Sequence, residues 1–284
     1  CQTLAIWYTS RHKTWHFGIV LEGRCVREKT AIPLNERLYR TEAIVLARLD
    51  YGEADRIVTL FTPRRGKFRV IVKGARKPLS KLGPHLDFFC RSTLLLAKGR
   101  ELDVVSDATT IEPHQRLRTD LDALGHASHM AEMLNRLTED RQENEASFDL
   151  LAQSLRLLED GVDPWLVTRH YEWALLALLG YRPELYRCIS CGAALLPGPN
   201  GWSSRLGGNI CSQCRGTDAG ARMVSLDAQK ILRLFDRQGL AAVARIRIDE
   251  GLRREIEAIL ADYLRHLTER DLASMTVLRT IQRL

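Results

Sequence analysis

The chain of 284 residues has no uninterrupted apolar run near the roughly 18 to 20 residues that a membrane span requires. Its longest apolar stretches, around residues 94–96 and 174–179, are the size of core segments. No short apolar core with a small-residue cleavage site stands near the start, where Trp7, Arg11, Lys13 and Trp15 interrupt any such pattern, so the expected compartment is the cytoplasm and no membrane contact is expected. Internal repeats and low-complexity tracts are missing as well. So is a phosphate-binding loop: Gly66-Lys67 lacks both the upstream glycine and the following Ser or Thr. The Asp and Glu residues show no paired, nuclease-like spacing, and no helix-turn-helix or finger-type recognition helix can be read. No catalytic constellation emerges, and the expectation is a protein that is not an enzyme.

What is present is an ordinary globular composition, 45% hydrophobic and 27% charged, in a chain long enough for two or three structural units. The formal charge of +7 is unevenly spread. Residues 1–36 carry five cations and three acids, residues 37–112 fifteen and nine, and residues 113–284 twenty-two and twenty-three. A basic excess confined to one segment points to a polyanion-binding module on a near-neutral scaffold, because clustered cations gain free energy by releasing the counterions condensed on a phosphate chain.

Residues 37–112 read as five short strands: Tyr39 to Leu46, Arg56 to Phe61, Lys67 to Lys73, Phe89 to Ala97 and Leu102 to Ile111. Pro63-Arg-Arg-Gly66 and Lys98-Gly99-Arg100 supply turn chemistry between them. Five strands in about 75 residues is the count of an OB-type barrel. After Pro113 the apolar period becomes helical. Leu117, Leu121, Leu124, Met130, Leu134 and Leu137 predict one long helix, and further helices are expected near 148–158, 164–179, 226–236 and 252–267. The expected fold is therefore α+β and multidomain: an N-terminal OB-fold β-barrel at 37–112, then a C-terminal α-helical domain at 113–284. An insertion at 182–222, rich in Gly, Ser, Pro and Cys, interrupts the helices. Residues 1–36 read poorly as a domain and are expected to be an extension without a function of its own.

The insertion carries the strongest local signal, Cys188-Ile-Ser-Cys191 and Cys211-Ser-Gln-Cys214, two C-x2-C pairs separated by nineteen residues. Each pair brings two thiolates together on a tight turn, and two such knuckles complete a tetrahedron around one Zn²⁺ at about 2.3 Å per sulfur. Two disulfides would suit an exported protein, and a redox dithiol needs one pair and not two. With all four positions filled by protein thiolates, the zinc finger is expected to be structural. Arg182, Arg187, Arg205 and Arg215 are near enough in sequence to offset the net charge of the cluster.

The basic excess concentrates between Arg64 and Lys81, where Arg64, Arg65, Lys67, Arg69, Lys73, Arg76, Lys77 and Lys81 occur with no acidic residue. Along Lys67 to Lys73 the strand period sends Phe68, Val70 and Val72 to one face and Lys67, Arg69, Ile71 and Lys73 to the other. The glycine-led segment after it is expected to track a phosphate backbone. A merely solvated surface is the plain alternative, although solubilising surfaces usually mix signs. His126, His129 and Glu132 share one helical face but have no further ligand nearby in sequence, and are expected to be ordinary helix surface.

Several of these segments occur in an order that resembles the RecO family: Thr41-Glu-Ala-Ile-Val-Leu46, Tyr51-Gly-Glu-Ala-Asp-Arg56, Leu60-Phe-Thr62, Gly66-Lys67, Lys73-Gly-Ala-Arg-Lys-Pro78 and Ser80-Lys-Leu82, followed by the helices and the cysteine insertion. The resemblance covers about residues 37–284; residues 1–36 have no counterpart, and Asp87-Phe88 stands where many members have Gln-Pro. It implies a bacterial mediator of DNA repair and recombination in the RecF pathway, located at the nucleoid. Such a protein binds single- and double-stranded DNA, anneals strands coated by single-strand-binding protein (SSB), contacts the acidic C-terminal tail of SSB, and with RecR helps to load RecA. The resemblance assigns DNA contact to the basic strand and loop. A zinc-ribbon transcriptional regulator is the alternative that the residues leave open.

Overall fold

The structure, a computed structural model, describes residues 4–9, 14–19, 38–238, 240, 244–245, 247–269 and 272–281, and the chain divides into two units, Cys1–Glu36 and Arg37–Leu284. The first unit holds an antiparallel hairpin, β1 (Leu4–Thr9) and β2 (Thr14–Ile19), with Leu4 opposite Ile19. The residue pattern of this segment predicts no element there.

In the second unit β3 (Leu38–Tyr51), β4 (Asp55–Thr62), β5 (Gly66–Val72), β6 (Arg91–Ala97) and β7 (Asp103–Glu112) close into a barrel in the order β3-β4-β5-β7-β6. That order, antiparallel except for the short parallel pairing of β5 with β7, is the OB arrangement. Closure depends on the length of β3. Its first half pairs with β6 and its second half with β4, and an irregularity between Val45 and Ala47 lets one strand serve both neighbours. Phe68, Val70 and Val72 point inward with Val45, Val58 and Leu60, as their alternation requires. The fourth strand begins at Arg91, later than expected. Gly83–Leu86, in the connection before it, forms a short 3-10 turn that drops Leu86 into the barrel core, and Phe89 takes a positive φ of 63°.

The helices follow: α1 (Leu121–Leu137), α2 (Glu145–Glu159) and α3 (Pro164–Leu178). The long helix starts at Leu121 because the Asp120 carboxylate accepts the Asp122 and Ala123 N–H groups, while Leu117 stays in a separate short turn. Asp163 caps α3 with Pro164 at its first position, and Gly180 follows it at a φ of 84°. A small sheet, β8 (Asn200–Ser203), β9 (Gly208–Ile210) and β10 (Arg222–Val224), precedes α4 (Leu226–Gln238), α5 (Glu250–Thr268) and α6 (Ala273–Ile281). The last helix was not anticipated from the sequence. Glu132 of α1 receives its free Ala273 and Ser274 N–H groups at 3.1 and 2.8 Å. No helix among the described residues is long and apolar enough to cross a membrane.

Barrel and helices share a core in which Ile44, Leu46, Phe61 and Phe89 join residues of α1 to α3, and Phe61 stacks on Phe148 at 6.3 Å. The β4–β5 turn is clasped by the α1–α2 connection: Arg141 N–H donates to the Lys67 carbonyl at 2.8 Å. Gly66, at a φ of 59°, lies so close that an added Cβ would sit 1.9 Å from the Gln142 carbonyl oxygen.

His126 and His129 are not helix surface. Both are buried between α1 and its neighbours, His126 bonded to Thr168 at 2.8 Å and His129 to Glu172 at 2.6 Å and to Ser274 at 3.2 Å. Glu172 also pairs with buried Arg169 at 2.9 Å. An alternating charged and apolar stretch read in isolation does not show which face three other helices will cover. Burial, with Arg169 and His129 nearby, pushes the His126 pKa down to about 3. The fold refuses a proton that the unfolded chain accepts below about pH 6.5, so stability falls with pH between those values. From pH 7 to 5 the expected loss from His126 is about 2 kcal/mol. Urea unfolding of the protein and of His126→Gln at both pH values checks this; equal acid sensitivity of the two would refute it.

Candidate nucleic-acid interface and metal centre

The basic run lies on β5, the turn before it and the loop after it, but the fold treats its eight cations differently. Arg69 is exposed on the outer barrel face, opposite Thr59 of β4. Lys77 and Lys81 are exposed on the following loop, and Arg64 on the preceding turn. Arg65 lies over the Tyr39 ring at 4.0 Å. The side chain of Lys67 is only 11% exposed. Its ammonium donates to the Asn135 and Thr138 carbonyls at 2.6 and 2.8 Å, with Asp140 at 3.4 Å. Lys67 therefore neutralises the carbonyl end of α1, where a cation is favoured, and fastens the barrel to the helices.

Although the run contains no acid, folding brings acids to it. Lys73 pairs with Asp55 at 2.7 Å; Arg76 lies 3.3 Å from Asp50, which also accepts from Arg56 at 3.0 Å. The Arg56 bond, joined by Arg76, holds the Asp50 carboxyl below its ordinary pKa, and bonds from Lys73 and the Gly74 N–H do the same for Asp55. These ion pairs, with Arg76 N–H bound to the Ala54 carbonyl at 2.9 Å, anchor the loop beside the β3–β4 turn.

Two further features have no local signature in the sequence. The β6–β7 turn carries exposed Lys98 and Arg100, and the pairing of Val70 with Asp103 brings that turn alongside β5. Both residues were visible as a turn, yet nothing local ties them to a strand thirty residues earlier. Beyond them, the outer sheet face carries Leu49 and Tyr51, 64% and 52% exposed, next to Ile57 and Ile71.

In the insertion the four cysteine sulfurs lie within 4.8 Å of one another, with Cys191 and Cys211 Sγ atoms 3.9 Å apart. Four ligands at about 2.3 Å from one ion would stand about 3.8 Å apart, whereas a disulfide requires about 2.05 Å. Burial opposes ionisation of Cys188, but backbone N–H groups of Cys211, Cys191 and Ser190 outweigh it and bring its thiol down to about 6. The set suits one dication. Of the arginines expected to offset the cluster, Arg182 pairs instead with Asp236 and Arg205 with Asp218. Arg187 reaches the Gly192 carbonyl at 3.3 Å and Arg215 the Met223 sulfur at 3.0 Å.

The knuckles pack on Leu195 and Ile210, a core too small to hold a segment this long. The module is clamped to α4 and α5: Asn200 donates to Gln229 at 2.8 Å, Ser204 to Asp262 at 2.7 Å and Arg233 to the Leu185 carbonyl at 2.6 Å, while Trp202 meets the Tyr263 ring edge-on at 5.9 Å.

Comparison with known proteins agrees with this arrangement. Residues 37–114 match the family described as Recombination protein O N terminal, and residues 118–276 match Recombination protein O C terminal. The chain is 43% identical over 251 residues to the DNA repair protein RecO of Roseiflexus sp. (strain RS-1), covering 88% of each chain. It is 39% identical over 242 residues to that of Pelotomaculum thermopropionicum, covering 85% of this chain and 94% of the relative. A barrel of OB order, a helical region and a cysteine quartet, matched along nearly the whole second unit, lead to one conclusion: the chain belongs to the RecO family of DNA repair proteins.

Proposed function

We propose that the protein binds single- and double-stranded DNA through the outer face of β4 and β5 and the loop after β5, and anneals complementary strands coated by SSB. In this reading it contacts the acidic SSB tail and, together with RecR, helps to load RecA, all without enzymatic turnover and at the nucleoid in the cytoplasm. The observation that carries the reading is the exposure of Arg69 on the outer face of β5 and of Lys77 and Lys81 on the loop that follows it, in a barrel of OB order, a fold that takes oligonucleotides on the face of these strands. Lys73 and Arg76 border them and can exchange their carboxylate partners for phosphates; Arg64 and Arg65 lie at the far turn. Charge on this face lowers the repulsion between two approaching phosphate chains, a repulsion that slows annealing.

Zn²⁺ is the cation that four thiolates at these separations suit best. Bound by Cys188, Cys191, Cys211 and Cys214, it would supply folding free energy and no reactive position.

The test is annealing of complementary oligonucleotides precoated with SSB, with no nucleotide added and the DNA examined for cleavage in Mg²⁺. Acceleration with intact DNA is expected. Failure to bind the coated strands, or cleavage of them, overturns the reading.

A further inference from the structure

Phosphate contacts alone hold a duplex, with its denser charge, at least as well as a single strand, so the cations do not explain why a strand-annealing protein would let go of its product. The outer face of the barrel carries a second kind of surface. Strand register sets Leu49 of β3 directly opposite Ile57 of β4, and Ile57 directly opposite Ile71 of β5. Directly opposed residues share a face. Val58, Val70 and Val72 point into the barrel core, so this row points outward.

Three aliphatic side chains thus line up across three strands, over about 10 Å at the usual strand spacing. Tyr51, two residues beyond Leu49, extends the strip, opposite Asp55. Single exposed leucines are common on protein surfaces, but an aligned row ending in an aromatic ring is a contiguous apolar strip. Its surroundings identify what it meets. Arg69 lies one row to one side, and Lys73 and Arg76, held by Asp55 and Asp50, stand at the Tyr51 end. An apolar strip rimmed by cations is complementary to a chain with phosphates along its edge and flat apolar faces inward, which is single-stranded nucleic acid with its bases unstacked. A duplex hides those faces inside its own stack.

We propose that Leu49, Tyr51, Ile57 and Ile71 form a base-contacting platform that makes the barrel prefer unpaired DNA. The inference rests on the reading of this face as the DNA interface. Its consequence is directional: when two held strands pair, their bases leave the platform, only phosphate contacts remain, and the annealed product is held more weakly than its precursors.

The experiment compares the protein with the double variant Leu49→Ala/Tyr51→Ala, and with Tyr51→Phe, on a single-stranded oligonucleotide, its duplex, and an abasic strand of the same length, across a salt series. Both altered side chains are exposed, so melting temperature should stay unchanged. The double variant is expected to lose about 10- to 100-fold in single-strand affinity, the range for one or two lost stacking contacts. Its duplex affinity and its salt slopes should be unchanged, and Tyr51→Phe should retain single-strand binding. The unaltered protein should bind the abasic strand about as weakly as the double variant binds the normal one. An equal loss on single strand and duplex, or no loss on either, overturns the platform while leaving the DNA interface standing. If the unaltered protein binds neither DNA, both proposals fall together.

Discussion

Replacing Lys73, Arg76 and Lys77 with glutamate is expected to lower single-strand affinity about 100-fold near 0.1 M salt and to reduce the salt slope by about 2, at roughly 0.7 per phosphate contact. Annealing of coated strands should fall in parallel. The structure ranks the three. Lys73 and Arg76 begin in ion pairs with Asp55 and Asp50, so each must exchange a carboxylate for a phosphate, whereas Lys77 is exposed on the loop. Lys77→Glu alone should therefore account for the largest share of the effect. Lys67→Met is the contrasting variant. Its ammonium serves the Asn135 and Thr138 carbonyls, so its removal should cost about 2 kcal/mol of stability and leave the salt slope alone. Binding and melting of the two variants, measured side by side, check both statements; annealing left intact by the triple reversal would remove the basic loop from the mechanism.

Cys191→Ser is expected to lower the melting temperature by about 10 to 20 °C, in proportion to about 5 kcal/mol lost with one ligand of a structural ion. Cys191 is exposed, so a Cys-to-Ser exchange there costs little in packing and the effect isolates ligation. Because the insertion is fastened to Gln229, Arg233 and Asp262, its release should also loosen α4 and α5, which amide hydrogen exchange would detect. Treatment with a strong chelator should reproduce the shift in the unaltered protein and produce none in the variant. Unchanged melting in both experiments would mean that the quartet holds no structural metal.

Legibility in the sequence tracked the range of the interactions involved. The cysteine quartet, the five strands and the capped α3 were readable because each is written within a few residues: knuckle spacing, period-2 alternation, Asp163-Pro164 at a helix start. The missed α6 is nine residues long, and its first turn is completed by Glu132, some 140 positions away. The local pattern places the buried His126 and His129 on the surface because their partners Thr168, Glu172 and Ser274 belong to other helices.

The candidate site divides along the same line. A strongly basic strand and loop, Ile71 on the same face as Arg69, and four cysteines able to hold one ion all follow from residue order and chain geometry over short distances. Which cations remain for a ligand depends on contacts between distant segments. Packing captured Lys67 with the end of α1, brought Asp50 and Asp55 into a run without acids, and paired the start of β7 with β5. It also assembled Leu49, Ile57 and Ile71 into one row from three separate strands. Barrel closure accounts for this: it fixes the register between strands, and register sets which distant residues become neighbours.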